Sequence, residues 1–95
     1  MAAIGVLTLE LRIEDSHSLK EKRHVVESLR NRLRHKFNVA VAEIDHQDLW
    51  QRATVAAVTV SSDRVHAEKV LHAVEEEASA LLGADLAECT VEWID

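Results

Sequence analysis

Ninety-five residues with 47% hydrophobic content, two glycines and no proline describe a single packed domain over residues 1–95. They exclude a disordered linker or two separate cores. A net charge of −6 argues against indiscriminate binding to nucleic acid or anionic lipid. The single cysteine, Cys89, rules out an internal disulfide, and no apolar run reaches the ~20 residues of a membrane span. Met1 leads directly into a strand-like pattern with no cationic leader, so a cytoplasmic protein without a membrane partner is expected.

Ile4 to Ile13 alternates, with Leu7, Leu9, Leu11 and Ile13 on one face and Thr8, Glu10 and Arg12 on the other. That is the pattern of a half-buried strand. Ser18 followed by Glu21 matches an S-x-x-E capping box, so a helix is predicted to begin near Leu19. Leu19, Val26, Leu29, Leu33 and Phe37 form its apolar stripe, and Asn38 is the predicted left-handed terminator. Lys22 and Arg23 flank that stripe. They are expected either to snorkel over the sheet edge or to line the helix N-terminus, where amide groups favour anions.

Val39–Asp45 and Ala53–Ser61 read as two strands joined by the His46–Arg52 segment. Ser62-Asp63 caps a second helix, whose apolar face comprises Val65, Val70, Leu71, Val74, Ala78, Leu81 and Leu82, closed by Gly83. Leu86–Ile94 is the last strand. The order β-α-β-β-α-β predicts an α+β ferredoxin-like sandwich, a four-stranded antiparallel sheet with both helices on one face. This topology brings the first strand's exit, the first helix's N-terminus, the strand 2–3 hairpin and the Gly83–Asp85 turn to one end. Two polar segments, His17–Arg23 and His46–Arg52, therefore converge.

The charge is lopsided. Seven Lys/Arg against Glu21 and Glu27 give residues 17–37 a balance of +5, and the whole-chain −6 then leaves −11 elsewhere. Such a molecule can orient a partner, although solvated helix charges have the same pattern.

Fold alone does not assign function, so the common chemistries of this architecture are judged at their residues. Base stacking on the sheet needs aromatics, and Ile4–Ile13 and Ala53–Ser61 contain none, while Glu10, Glu88 and Glu92 repel phosphate. A two-cysteine metal loop is absent. Glu14-Asp15-Ser16 is the electrostatic opposite of an anion-binding loop. The six histidines include no H-x-x-x-H pair; His17 and His46 could meet at the loop end with Asp48 as a third ligand, but scattered surface histidines are the commoner explanation. Ser16 and Ser18 fit helix capping better than nucleophilic catalysis. The residues thus imply no catalytic set, no metal and no cofactor, and argue against an enzyme. Trp50 has two readings: a ring folded back to close the core with Arg52 stacked on it, or an interface anchor.

The segments His17-Ser18-Leu19-Lys20-Glu21-Lys22-Arg23 and Val41-Ala42-Glu43-Ile44-Asp45-His46-Gln47-Asp48-Leu49-Trp50-Gln51-Arg52-Ala53 closely resemble the YlxP-like family of small bacterial proteins. The resemblance extends over essentially the whole chain, including Ile4-Gly5-Val6 and Ser61-Ser62-Asp63-Arg64. It implies a ferredoxin-like fold and a bacterial cytoplasmic protein often encoded near translation initiation and ribosome-binding factors. It supplies no catalytic residue or substrate.

The expectation is a non-enzymatic binding module in translation or ribosome maturation, with ribosomal RNA or a translation factor as partner. Its candidate binding residues are His17, Lys20, Lys22, Arg23, His46, Gln47, Asp48, Trp50 and Arg52, with Arg30, Arg32 and Arg34 as further phosphate contacts. One alternative is a small anion- or ligand-binding regulatory domain, or weak enzyme, at the loop end. The other is a structural homo-oligomer, a dimer, closed over the open sheet face through Val6, Ile44, Val58 and Val60.

Overall fold

The computed structural model describes residues 1–94. The elements are β1 (Ala3–Arg12), α1 (Leu19–Lys36), β2 (Ala40–Asp45), β3 (Arg52–Ser61), α2 (Arg64–Leu82), a 3₁₀ turn (Gly83–Asp85) and β4 (Leu86–Ile94). The strands form one sheet in the order β2-β3-β1-β4, antiparallel throughout. The predicted α+β βαββαβ architecture is the one observed.

The period-2 pattern of β1 puts Leu7, Leu9, Leu11 and Ile13 into the core, where they meet Val55 and Ala57 of β3 and Val41 of β2. Val26, Leu29 and Leu33 of α1 and Leu71, Val74, Ala78 and Leu82 of α2 cover them from the same side. Among the described residues no helix covers the opposite face of the sheet.

Both helix starts follow from their caps. Ser18 Oγ accepts from Glu21 N at 3.1 Å, while the Glu21 carboxylate accepts from His17 N, one residue earlier than in the usual box. Asp63 Oδ1 accepts from Val65 N at 3.0 Å. Several details differ from the pattern reading. Helix α1 ends at Lys36, with Phe37 as an extended C-cap, and Asn38 is not left-handed. Its carbonyl instead accepts from Thr59 Oγ1 at 3.0 Å, tying the helix exit to β3. Val65 is 57% exposed, and Ala67 takes its place in the core because position 67, four residues before Leu71, lies on the Leu71–Val74–Ala78–Leu82 stripe. Gly83 does have a positive φ of 56°, and a 3₁₀ turn follows it directly into β4.

An aromatic lock holds β4. Trp93 pairs across from Gly5, and a Cβ placed on Gly5 would lie 2.8 Å from its ring and 2.7 Å from Leu71 Cδ1. The glycine is what lets the indole lie across β1. Arg64 stacks on this ring, its guanidinium 4.0 Å from the centroid. A Trp–Arg stack thus joins α2 and β4.

The two helices are clasped at Glu77, which accepts from Lys36 at 2.7 Å and Arg32 at 3.1 Å. These bonds, Lys36 first, hold its carboxyl below the ordinary glutamate range. A lowered acid stabilises the fold above its ordinary titration range and loses that contribution as pH falls through the depressed value. The melting difference between the native protein and Glu77→Gln should thus narrow in acid. A difference that stays constant with pH would contradict the clasp.

Candidate functional site at the loop end

The expected convergence takes the form of an interlock. Lys22 lies one turn into α1, i+3 from Leu19 and i−4 from Val26, so it occupies the core stripe and is fully buried. Its Nζ donates to His46 O at 2.7 Å and Gln47 O at 3.2 Å. Glu43 Oε2 lies 2.9 Å from the same nitrogen. That oxygen is outside hydrogen-bonding angles and has no other partner, so the contact is one of charge. Lys22 therefore neither snorkels nor faces solvent: its ammonium holds the β2–β3 connection.

From the other side, Gln51 Nε2 donates to Glu14 O at 3.0 Å and Ser16 O at 3.2 Å, and Gln51 O accepts from Ile13 N at 2.9 Å. Within the loop, His46 adopts φ 64°, its N–H donates to Asp45 Oδ1 at 2.8 Å, and its carbonyl also receives Leu49 N at 3.1 Å. A bulge between Glu43 and Asp45 turns the strand into this connection. The loop is thus fastened at both ends and braced in the middle.

What this frame displays is apolar. Trp50 is 55% exposed and Leu49 40% exposed, and with Asp48, Gln51 and Arg52 they line one open hollow. A ring half in solvent does not close the core. Around it the charges alternate in sign: His17, Lys20, Arg23, Asp45, Asp48 and Arg52 are all exposed, as are Glu14, Asp15 and Glu21. Lys20, Arg23 and His24 with Glu27 line a separate shallow hollow on α1. The Gly83–Asp85 turn adjoins the same helix, with Asp85 and His24 sharing a third.

Along α1 the cations divide into two sets. Arg32 and Lys36 are engaged by Glu77, whereas Lys20, Arg23, Arg30 and Arg34 form no ion pair among the described residues. The second set follows i, i+3, i+10, i+14, one exposed stripe about 21 Å long.

Among the described residues no group of three His, Cys, Asp or Glu side chains is arranged to hold a metal ion. Cys89 is half-buried, and burial, then Glu75 and Glu88, pushes its thiol up, so it stays protonated at neutral pH. No helix among the described residues is long and apolar enough to cross a membrane.

Pattern reasoning missed Leu49, Gln51 and Glu43. For Glu43 the signal was present: it lies opposite Val55, on the core-facing register of β2.

Solved structures share the fold at low identity. The de novo designed protein Foldit4 superposes with a TM-score of 0.62 at 11% identity, covering 100% of this chain and 98% of its own. A C-terminal segment of the alpha subunit of aIF2 from Pyrococcus abyssi gives 0.52 at 16% identity, over 98% of this chain and 50% of that one. A mutant of SnoaB, a cofactor-independent oxygenase from Streptomyces nogalater, gives 0.50 at 12% identity, over 99% and 91%. By sequence the chain is 46% identical over 71 residues to "Uncharacterized protein YlxP" of Bacillus subtilis (strain 168), covering 75% of this chain and 77% of that protein. Residues 4–91 match the family described as "Protein of unknown function (DUF503)". With that match over nearly its whole length, and with the Bacillus relative 46% identical over three quarters of it, the chain belongs to the DUF503 family.

Proposed function

We propose that the chain is a non-enzymatic binding module that docks on the ribosome or a translation factor bound to it, with the β2–β3 loop as its anchor. The observation that carries this reading is the half-exposed Trp50 beside Leu49 on a loop immobilised by a fully buried lysine. A large aromatic shown to solvent on a rigid frame binds without first losing much conformational entropy. Tryptophan and arginine are also the residues that dominate interface hot spots. His17, His46, Gln47, Asp48 and Arg52 supply the polar rim, and Lys20, Arg23, Arg30 and Arg34, which form no ion pair among the described residues, steer the approach. The translational setting is supported by the family resemblance set out above.

A free-anion site at the loop end has less support. The Lys22 ammonium is already occupied by two carbonyls and a carboxylate, and the surrounding charges are of mixed sign.

The test is co-sedimentation of the purified protein with bacterial ribosomal particles over a salt series. Binding should fall as salt rises. Trp50→Ala should reduce it at least tenfold while the melting curve shifts by no more than the ~0.5 kcal/mol typical of a surface change. Lys20→Glu with Arg23→Glu should weaken binding mainly at low salt. Absence of co-sedimentation at low salt would overturn the ribosomal reading, and full binding by Trp50→Ala would remove the loop as anchor.

A further inference from the structure

The sheet has two edges, and they are finished differently. Strand β2 is six residues long, carries a bulge between Glu43 and Asp45, and is tied at its end to Lys22. Strand β4 is nine residues long and pairs on one side only, with β1. A bulge at Ala87 interrupts its ladder near the loop end, and from Glu88 to Ile94 the pairing with β1 is regular. Along that stretch alternate residues turn their N–H and C=O groups away from β1, and no backbone group among the described residues meets them. Natural proteins commonly blunt such an edge with lysine or proline. Leu86–Ile94 contains neither.

The side chains of β4 sort onto two faces. Cys89, Val91 and Trp93 lie towards the helices, opposite Leu9, Leu7 and Gly5. Leu7 is fully buried, yet Val91 across from it is 43% exposed, because it lies beyond the flank of α2. Val91, Trp93 and Leu71 floor a groove there, walled by Glu68, His72 and Glu75 of α2. On the other face Glu88, Thr90 and Glu92 are exposed. Glu75, Glu88 and Glu92 form no ion pair among the described residues. Glu68 is engaged by Arg64, His72 lies 2.9 Å from Glu76, and Arg12 follows Glu10 along the open face of β1. After burial itself, Glu75 and Glu88 also help to push the Cys89 thiol up, so their potential reaches into the strand.

We propose that this edge takes an extended basic segment of another protein, which adds to the sheet as a fifth strand beside β4. The free N–H and C=O groups of β4 supply the ladder. Glu88 and Glu92 lie four residues apart on one face, so the segment carries Lys or Arg at the same spacing, opposite them. The residues just inside each cation turn to the helix side, where aliphatic side chains cover Val91 and Cys89. The pattern recognised is basic, aliphatic, any, aliphatic, basic, and it reads the same in either chain direction. This site is separate from the Trp50 loop and does not rest on the role given to that loop.

The same glutamates disfavour other occupants. A second copy paired edge to edge in full overlap sets Glu88 against the partner subunit's Glu92 twice, and like charges directly opposite destabilise a sheet. Nucleic acid and anionic lipid are repelled. The edge is thus guarded against its own kind and open to a strand of opposite charge.

The probe is the capped peptide Thr-Lys-Val-Thr-Val-Lys-Thr, titrated into the Trp50→Phe chain so that Trp93 alone reports. Its emission should move to shorter wavelength as the groove is covered, saturating at micromolar peptide. Glu88→Lys with Glu92→Lys, both at exposed positions, should weaken binding at least tenfold while the melting curve stays intact. The peptide Thr-Glu-Val-Thr-Val-Glu-Thr should bind that variant instead. Of two peptides N-methylated on alternate residues, one should lose binding and the other keep it, because only alternate amides face the edge. No saturable binding at high micromolar peptide overturns the proposal. So do equal binding by a scrambled peptide of the same composition, indifference to the charge reversal, or methylated peptides that bind alike. A native chain that light scattering shows to be a dimer, and that Val91→Glu makes monomeric, would give the edge to a second copy instead.

Discussion

Lys22→Ala should be among the most damaging single substitutions in this protein, lowering stability by about 3–5 kcal/mol. The ammonium is wholly buried and serves His46 O, Gln47 O and the Glu43 carboxylate together. Removing it leaves a carboxylate that is only 17% exposed without its counter-charge and strips Gln47 O of its donor. For a domain of this size, a melting temperature lower by roughly 15–30 °C is expected. Breaking one partner of a buried pair is worse than replacing both. Lys22→Met with Glu43→Leu should therefore recover most of the loss. The loop would still be without its brace, so Leu49 and Trp50 amide protons should exchange faster in the double variant than in the native chain. A Lys22→Ala protein that melts within a few degrees of native would refute the brace. Loop amides no faster in the double variant would show that Gln51 alone holds the connection.

This residue also shows where sequence reasoning succeeds and where it stops. Position 22 falls on the Leu19–Val26–Leu29–Leu33 stripe by spacing alone, and the periodicity was visible. The side chain's charge concealed it, because a lysine is ordinarily buried only when its partners are supplied, and these lie more than 20 residues away on another element. Strands and caps were legible because their causes are local: alternation in β1, Ser18 before α1, Asp63 before α2. Asn38 misled because a left-handed residue is only one way to end a helix. Here Phe37 simply extends and Thr59 satisfies the next free carbonyl. The two polar segments were legible as neighbours, since topology brings them together, but not their division of labour. Lys22 and Gln51 fasten while Leu49 and Trp50 are displayed, and that depends on exposure, which no pattern in the chain encodes.

Gly5→Val should destabilise the fold by about 1–3 kcal/mol, the usual penalty for overpacking a filled site. Gly5 lies in the interior of β1 on its core face, and a Cβ there meets Leu71 Cδ1 at 2.7 Å and Trp93 Cζ3 at 2.8 Å. Both neighbours are constrained. Leu71 is buried in the core, and the indole is engaged by the stacked Arg64 guanidinium. The ring therefore has to leave its place, releasing the Arg64 stack and loosening β4, which pairs only with β1. Trp93→Leu empties that space at a cost of its own, so the two changes should be less than additive when combined in one chain. Intrinsic Trp93 fluorescence, measured in a Trp50→Phe background, should shift to longer wavelength in Gly5→Val as the indole becomes wetted. Strict additivity of the two losses, with unchanged emission, would mean that the ring does not depend on the missing side chain and that the glycine serves only the backbone of β1.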